Sequence, residues 1–149
     1  MQIPNSTLVL VADGRRALIL RNRGDAKFPN LQLETTIESE RNPSSHEQGN
    51  DRPGRVHSNS SVGTRRSAVE TTDLHERSEV EFAGRVAAAV AERQLESSGD
   101  PLIIVAPPRF LAKLRQDIPK AVSKSILAEL DKDLTKHSVI EIEALLAAT

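Results

Sequence analysis

Two runs of β-forming residues, TLVLVA (Thr7–Ala12) and RALILR (Arg16–Arg21), flank Asp13-Gly14. An Asp-Gly pair between such runs is the strongest short-range hairpin signal, because glycine accepts the positive φ of a tight primed turn. Near their centres both runs are apolar at successive positions and not at alternate ones, so both faces of each strand must be covered. A hairpin of that kind belongs in the middle of a sheet. It commits the rest of the chain to supplying strands beside it and helices over it.

The remaining patterns supply them. NRGDAKFPN (Asn22–Asn30) is loop chemistry. LQLETTIE then alternates, with Leu31, Leu33, Thr35 and Ile37 on one face and Gln32, Glu34, Thr36 and Glu38 on the other, which predicts a half-exposed edge strand. Ser78 and Glu81 form an S-x-x-E capping box. Behind it Phe82, Val86 and Val90, with Ala83, Ala87 and Ala91, predict a helix ending near Glu96, before Gly99-Asp100-Pro101. LIIVA (Leu102–Ala106) is a short apolar run suited to a buried strand. Pro107-Pro108 fits the first turn of a helix, where a missing N–H costs little; Phe110, Leu111 and Leu114 give that helix its apolar face, and Pro119 stops it.

From Lys120 to Leu134 two periods compete. Val122, Ile126, Leu130 and Leu134 recur every four residues, whereas Ile126, Ala128 and Leu130 alternate; the alternation predicts a strand over about Ser125–Leu130. Ser138 and Glu141 make a second capping box, opening a last helix with Ile142, Leu145 and Leu146 on its buried side. The order β–β–β–loop–α–β–α–β–α defines an α/β fold: a mixed sheet, built from an N-terminal β-hairpin plus further strands, with helices on its faces. At 149 residues the chain forms a single domain, 1–149.

A long polar loop, at about residues 39–77, interrupts these periodic elements. Pro43, Pro53, Gly49, Gly54 and many Ser, Asn and Thr leave no apolar period there, and a connection of that length in a compact domain is usually functional or disordered. Within it, RPGRVHSNSSVGTRR (Arg52–Arg66) holds four arginines and no acid, although the net charge of the whole chain is −1. Arginine forks match phosphate oxygens bidentately, and a glycine-containing loop can bring backbone N–H groups to the same anion. The candidate nucleic-acid or anion-binding residues are therefore Arg52, Arg55, Gly63, Thr64, Arg65 and Arg66. The alternative for the same arginines is solvation of the loop, or pairing with Asp51, Glu70, Asp73 and Glu76. Arg109 and Lys113, four apart, share a helix face; they either extend the positive surface or form a solvated face.

Composition narrows the chemistry. Without cysteine there is no disulfide, thiolate metal site or cysteine nucleophile. Aromatic residues at 2% leave no base-stacking platform for single strands. The apolar run Leu8–Ala12 is too short for a signal peptide or a membrane span, so a cytoplasmic protein without a membrane partner is expected. Neither G-x-x-x-x-G-K-[ST] nor G-x-S-x-G occurs, and His46, His57, His75 and His137 lack metal-ligand spacing. No cofactor and no metal is expected.

VLVADGRRALIL, DRPGRVHSNSSVGTRRSAVE, EFAGRVA, LIIVAPPRFLAKLR and LDKDLTKHS together resemble the bacterial "protein required for attachment to host cells" family. That family is similar in fold to the middle domain of archaeo-eukaryotic peptide-chain release factors, an RNase H-like layout. In those factors the loop between a strand and the following helix carries Gly-Gly-Gln. Here the corresponding place holds Ser61-Val62-Gly63-Thr64-Arg65-Arg66, with a glycine and basic residues but no glutamine; Gln48-Gly49 lies earlier, in the reverse order. The resemblance thus implies contact with RNA or the ribosome rather than peptidyl-tRNA hydrolysis. An RNase H-like nuclease would need a metal-binding acid on its first strand. Asp13 stands there, but the turn accounts for it, and Asp131 and Asp133 are the other acids in range.

The expectation is a non-enzymatic binding domain that engages RNA or the ribosome through the arginine-rich loop. The alternatives are a protein-interaction module for adherence, which the family name implies, and a release-factor-like or RNase H-like hydrolase. The alternating edge strand also permits a homodimer.

Overall fold

The computed structural model describes residues 1–39, 61–97 and 99–149; between 61 and 72 it describes the backbone alone. Five strands form one sheet: β1 (Leu8–Ala12), β2 (Arg16–Asn22), β3 (Leu31–Glu38), β4 (Leu102–Val105) and β5 (Ile126–Leu130), in the order β3-β2-β1-β4-β5. The β1–β2–β3 pairs are antiparallel, while β4 lies parallel to β1 and β5 parallel to β4. The hairpin is central as expected: every residue of β1 is buried, and every residue of β2 after Arg16. The alternation at 126–130 prevails over the four-residue period, because only a strand there completes a parallel edge beside β4.

Helices α1 (Ser61–Glu96), α2 (Pro108–Asp117) and α3 (Lys120–Ser123) cover one face, and α4 (Val139–Ala147) covers the other. On the first, Phe82, Val86 and Val90 of α1 and Phe110, Leu111 and Leu114 of α2 meet Leu8, Leu10, Ile19, Leu102 and Ile104. On the second, Ile142 and Leu146 of α4, with Ile3 and Leu134, meet Val9, Val11, Leu18, Leu20, Ile103 and Val105. Odd and even positions of each central strand therefore feed two separate cores, which is why these runs are apolar throughout.

The helix ends follow their local chemistry in four of five cases, α1 closing at Glu96 as expected. Pro108 sits in the first turn of α2, and the backbone turns extended at Ile118, before Pro119. The Ser138/Glu141 box is fully formed: Ser138 Oγ accepts from Glu141 N at 3.2 Å, and Glu141 Oε1 accepts from Ser138 N at 3.0 Å. Those bonds from the Ser138 backbone and hydroxyl hold the Glu141 carboxyl below the usual glutamate range. Leu145 is exposed, however, and only Ile142 and Leu146 form the buried stripe of α4.

The Ser78/Glu81 box, by contrast, is not a helix start. The backbone of α1 is already helical from Ser61, so the polar connection from β3 is shorter than the sequence suggests. Ser78 lies mid-helix with its Oγ 3.3 Å from Ser39 Oγ. At 36 residues α1 is about 54 Å long, far longer than the sheet it crosses.

Two further expectations fail locally. The hairpin turn does not use a positive-φ glycine: among the described residues positive φ occurs at Ser6 and Gly99 only. Asp13 makes the turn instead, its Oδ1 accepting from the backbone N–H of both Arg15 and Arg16 at 2.8 Å. Strand β3 does not alternate cleanly either. Thr35 pairs with Ile19 and Leu33 with Leu20, leaving Glu34 as an extra, bulged residue. The bulge turns Glu34 and Thr35 to the same side, where both accept hydrogen bonds from Arg93 of α1.

Candidate nucleic-acid interface

Strands β1, β4 and β5 all run in one direction, so their carboxyl ends share an edge. From β1 the chain turns to β2 on one side, and after α1 it returns to β4 on the other. The order thus reverses beside β1, the place where open α/β sheets present their sites. Three segments meet there: the turn 13–16, the loop after β5, and the part of α1 ahead of Phe82.

That part of α1 stands clear of the body. Asp73, Leu74, His75, Glu76 and Arg77 are all exposed. Five successive exposed positions exceed one helical turn, so no side of the helix is buried at that level. Burial begins at Phe82 and Ala83. Between the two levels α2 ties the stem down. Lys113 Nζ donates to Glu79 Oε2 at 2.8 Å and lies 3.1 Å from Glu76 Oε1; Arg109 donates to Glu76 Oε2 at 3.3 Å. Lys113 keeps 15% of its side chain exposed, Arg109 82%. Burial works against the Lys113 ammonium, but the bonds to Glu79 and Glu76 outweigh it and lift its pKa above the ordinary lysine value.

Gly14 lies against this latch. A Cβ at Gly14 would come within 2.9 Å of Glu79 Cδ, so the missing side chain makes room for the carboxylate that Lys113 holds. On the opposite side of the same turn, Asp13 Oδ2 accepts from the buried Thr135 hydroxyl at 2.8 Å. Asp133 Oδ1 lies at the same 2.8 Å from that hydroxyl and also accepts from Thr135 N at 3.1 Å. A hydroxyl carries one proton, so the two carboxylates compete for it across the junction. The turn is thereby gripped from both faces of the sheet.

The sequence-derived candidates fall as follows. Arg52 and Arg55 lie outside the described residues. Gly63, Thr64, Arg65 and Arg66 lie in the opening turns of α1, where only the backbone is described, and the first turn holds no acid. Lys113 is the partly buried cation of the stem latch, held by Glu76 and Glu79, whereas Arg109 stays largely solvated, 82% exposed, with one 3.3 Å contact to Glu76. Of the acids weighed for a metal, Asp13 and Asp133 come together over Thr135, whereas Asp131 stays exposed and outside that contact. Among the described residues no three His, Asp or Glu side chains gather where they could hold a metal ion, and no helix is long and apolar enough to cross a membrane. The pairings of Glu76 and Glu79 with α2, and of Thr135 with Asp13, had no sequence signature, since each joins residues more than 30 positions apart.

A mixed sheet covered on both faces, with a long helix rising from its carboxyl edge after a polar connection, defines a release-factor-like α/β domain. The chain belongs to the bacterial archaeo-eukaryotic release factor family 12, whose family model matches residues 6–146. No curated protein matches it. The release-factor side of the resemblance is borne out by this match; attachment to host cells is no part of the family's description.

Proposed function

We propose that the chain is a non-enzymatic domain, 1–149, that works in the cytoplasm and contacts an RNA or ribosomal surface through its arginine-rich segment. Arg52, Arg55, Arg65 and Arg66 supply phosphate contacts, and Gly63 and Thr64 supply backbone and hydroxyl donors. One observation supports this more than any other. Glu76, which could have neutralised the segment, is engaged by Lys113 and Arg109. Glu76 and Glu79, the acids of the stem next to the body, are therefore already matched by cations of α2. Family membership points to translation as the setting.

The test is binding of a short single-stranded RNA across a salt series, together with co-sedimentation on ribosomal particles. Four phosphate contacts give a log–log salt slope of about −2.8, or about a 50-fold loss of affinity between 50 and 200 mM salt. Replacing Arg52, Arg55, Arg65 and Arg66 with Ala should flatten that slope and abolish co-sedimentation. A slope unchanged by the four substitutions would overturn the proposal. Recovery of a protein partner insensitive to RNase would favour the adherence module that the resemblance implies.

A further inference from the structure

The same carboxyl edge carries a second group of cations outside the arginine-rich segment. Arg15 and Arg16 follow Asp13 in the hairpin turn; Lys132 and Lys136 flank Asp133 and Thr135 in the loop after β5. All four side chains are exposed, and none makes an ion pair or side-chain hydrogen bond among the described residues. More than 110 positions separate the two segments, yet the Thr135 hydroxyl joins them at 2.8 Å from Asp13 and 2.8 Å from Asp133.

The division of labour between signs is what matters. Both oxygens of Asp13 are engaged, Oδ1 by the N–H groups of Arg15 and Arg16 and Oδ2 by Thr135. Asp133 accepts from the backbone N–H of Thr135 and competes with Asp13 for the single proton of its hydroxyl. Asp13 and Asp133 thus serve as struts of the junction, while the cations of the same two segments are exposed and make no ion pair among the described residues. Of the other acids nearby, Glu38 lies across the strand pair from Arg16, and Asp131 precedes Lys132; neither forms an ion pair among the described residues. Cations fixed on a braced turn and loop suit a ligand with repeating anionic charge, because several contacts form without ordering new backbone.

We propose that Arg15, Arg16, Lys132 and Lys136 form a second nucleic-acid contact, a basic rim that holds the phosphate backbone of a single RNA strand at the base of the α1 stem. It rests on the RNA reading above and extends it from the segment to the body of the domain. The rim supplies position and not sequence choice, since phosphates carry no base identity.

The experiment measures binding of the same RNA oligonucleotide across a salt series for the full chain and three charge-matched variants: R15A/R16A, K132A/K136A and K120A/K124A. Lys120 and Lys124 are also exposed and make no ion pair among the described residues, but they precede β5 and so lie at the opposite edge of the sheet. Each rim pair should flatten the log–log slope by about 1.4, at about 0.7 per lost contact, and K120A/K124A should leave it unchanged. Thermal melts of all variants should coincide, as only exposed side chains are removed. Inorganic pyrophosphate at equal charge concentration should compete poorly if a strand is the ligand; full competition would mean a free-anion site and overturn the strand assignment. Rim slopes equal to the K120A/K124A slope would refute the rim while leaving the arginine-rich segment standing. A wild-type chain that binds no RNA would remove both, and loss with the rim variants alone would keep the rim and remove the segment.

Discussion

Replacing Lys113 with Met tests whether the stem of α1 is held by charge. The substitution keeps most of the aliphatic stem that packs against the body and removes the ammonium alone. It deletes the 2.8 Å bond to Glu79 and the 3.1 Å contact with Glu76. Buried hydrogen bonds to charged groups contribute about 1.5–3 kcal/mol, and fully exposed ion pairs about 0–1 kcal/mol. Lys113 is 15% exposed, but its partners are 36% and 50% exposed, so the pair lies between those limits, at about 1–2 kcal/mol. Glu76 and Glu79 would also be left three residues apart on one helix face with only Arg109 between them and mutual repulsion. The expected fall in Tm is about 2–8 °C for a chain of this size. Urea unfolding gives the free energy, and amide exchange over Asp73–Phe82 reports whether the loss is local to the stem. Arg109→Met, with one long contact from a largely exposed side chain, should cost under about 0.5 kcal/mol. Equal costs for the two variants, or no change in exchange at the stem, would refute the latch. The pH dependence has a defined sign. A raised lysine pKa means that the contribution is whole below the ordinary value of 10.5 and is lost as pH rises through the higher folded-state value. The stability gap between wild type and Lys113→Met should therefore hold steady from neutrality to about pH 10 and close above it.

Three other substitutions probe the opposite end of the molecule. Glu34 accepts from Arg21, Arg23 and Arg93, and Arg21 is 8% exposed; Glu34→Ala should cost about 2–3 kcal/mol in urea unfolding, and Arg23→Ala under about 0.5 kcal/mol, because Arg23 is mostly solvated. Similar costs would show that the bulge at Glu34 holds no network. A Cβ at Gly24 would fall 2.2 Å from Phe28 O and 2.8 Å from Asn30 N. Both are backbone atoms, so Gly24→Ala should force the 22–30 loop open and cost about 2 kcal/mol or more by thermal melt.

The elements that sequence revealed are those whose signal is local. The hairpin strands, LIIVA, Pro107-Pro108 and the Ser138/Glu141 box all carry their reasons within a few residues. What escaped was set at a distance. Ahead of Phe82 the described positions Asp73–Arg77 of α1 are all exposed, so no apolar stripe marks a buried side there and no period can be read. Ser78 and Glu81 have the spacing of a cap but sit within continuous helix, so spacing alone did not mark an end. The bulge in β3 answers to Arg93, nearly 60 positions later, and Gly14 answers to Glu79 rather than to its own φ. The candidate site was legible in part. Its excess of arginine stands in the sequence, whereas the pairing of Glu76 with Lys113 and Arg109, and the meeting of Asp13 with Thr135, exist only once the sheet has formed.

The turn from Asp13 to Arg16 is short because it has neighbours on both sides. Most hairpin tips point into solvent and can grow or shrink as sequences diverge. This tip cannot lengthen: one inserted residue would carry Asp13 out of reach of Thr135, or push Gly14 into the carboxylate that Lys113 holds. An insertion here should therefore destabilise the fold more than one in an open connection, because the spacing from Ala12 to Ala17 acts as a fixed ruler between the helices on the two faces.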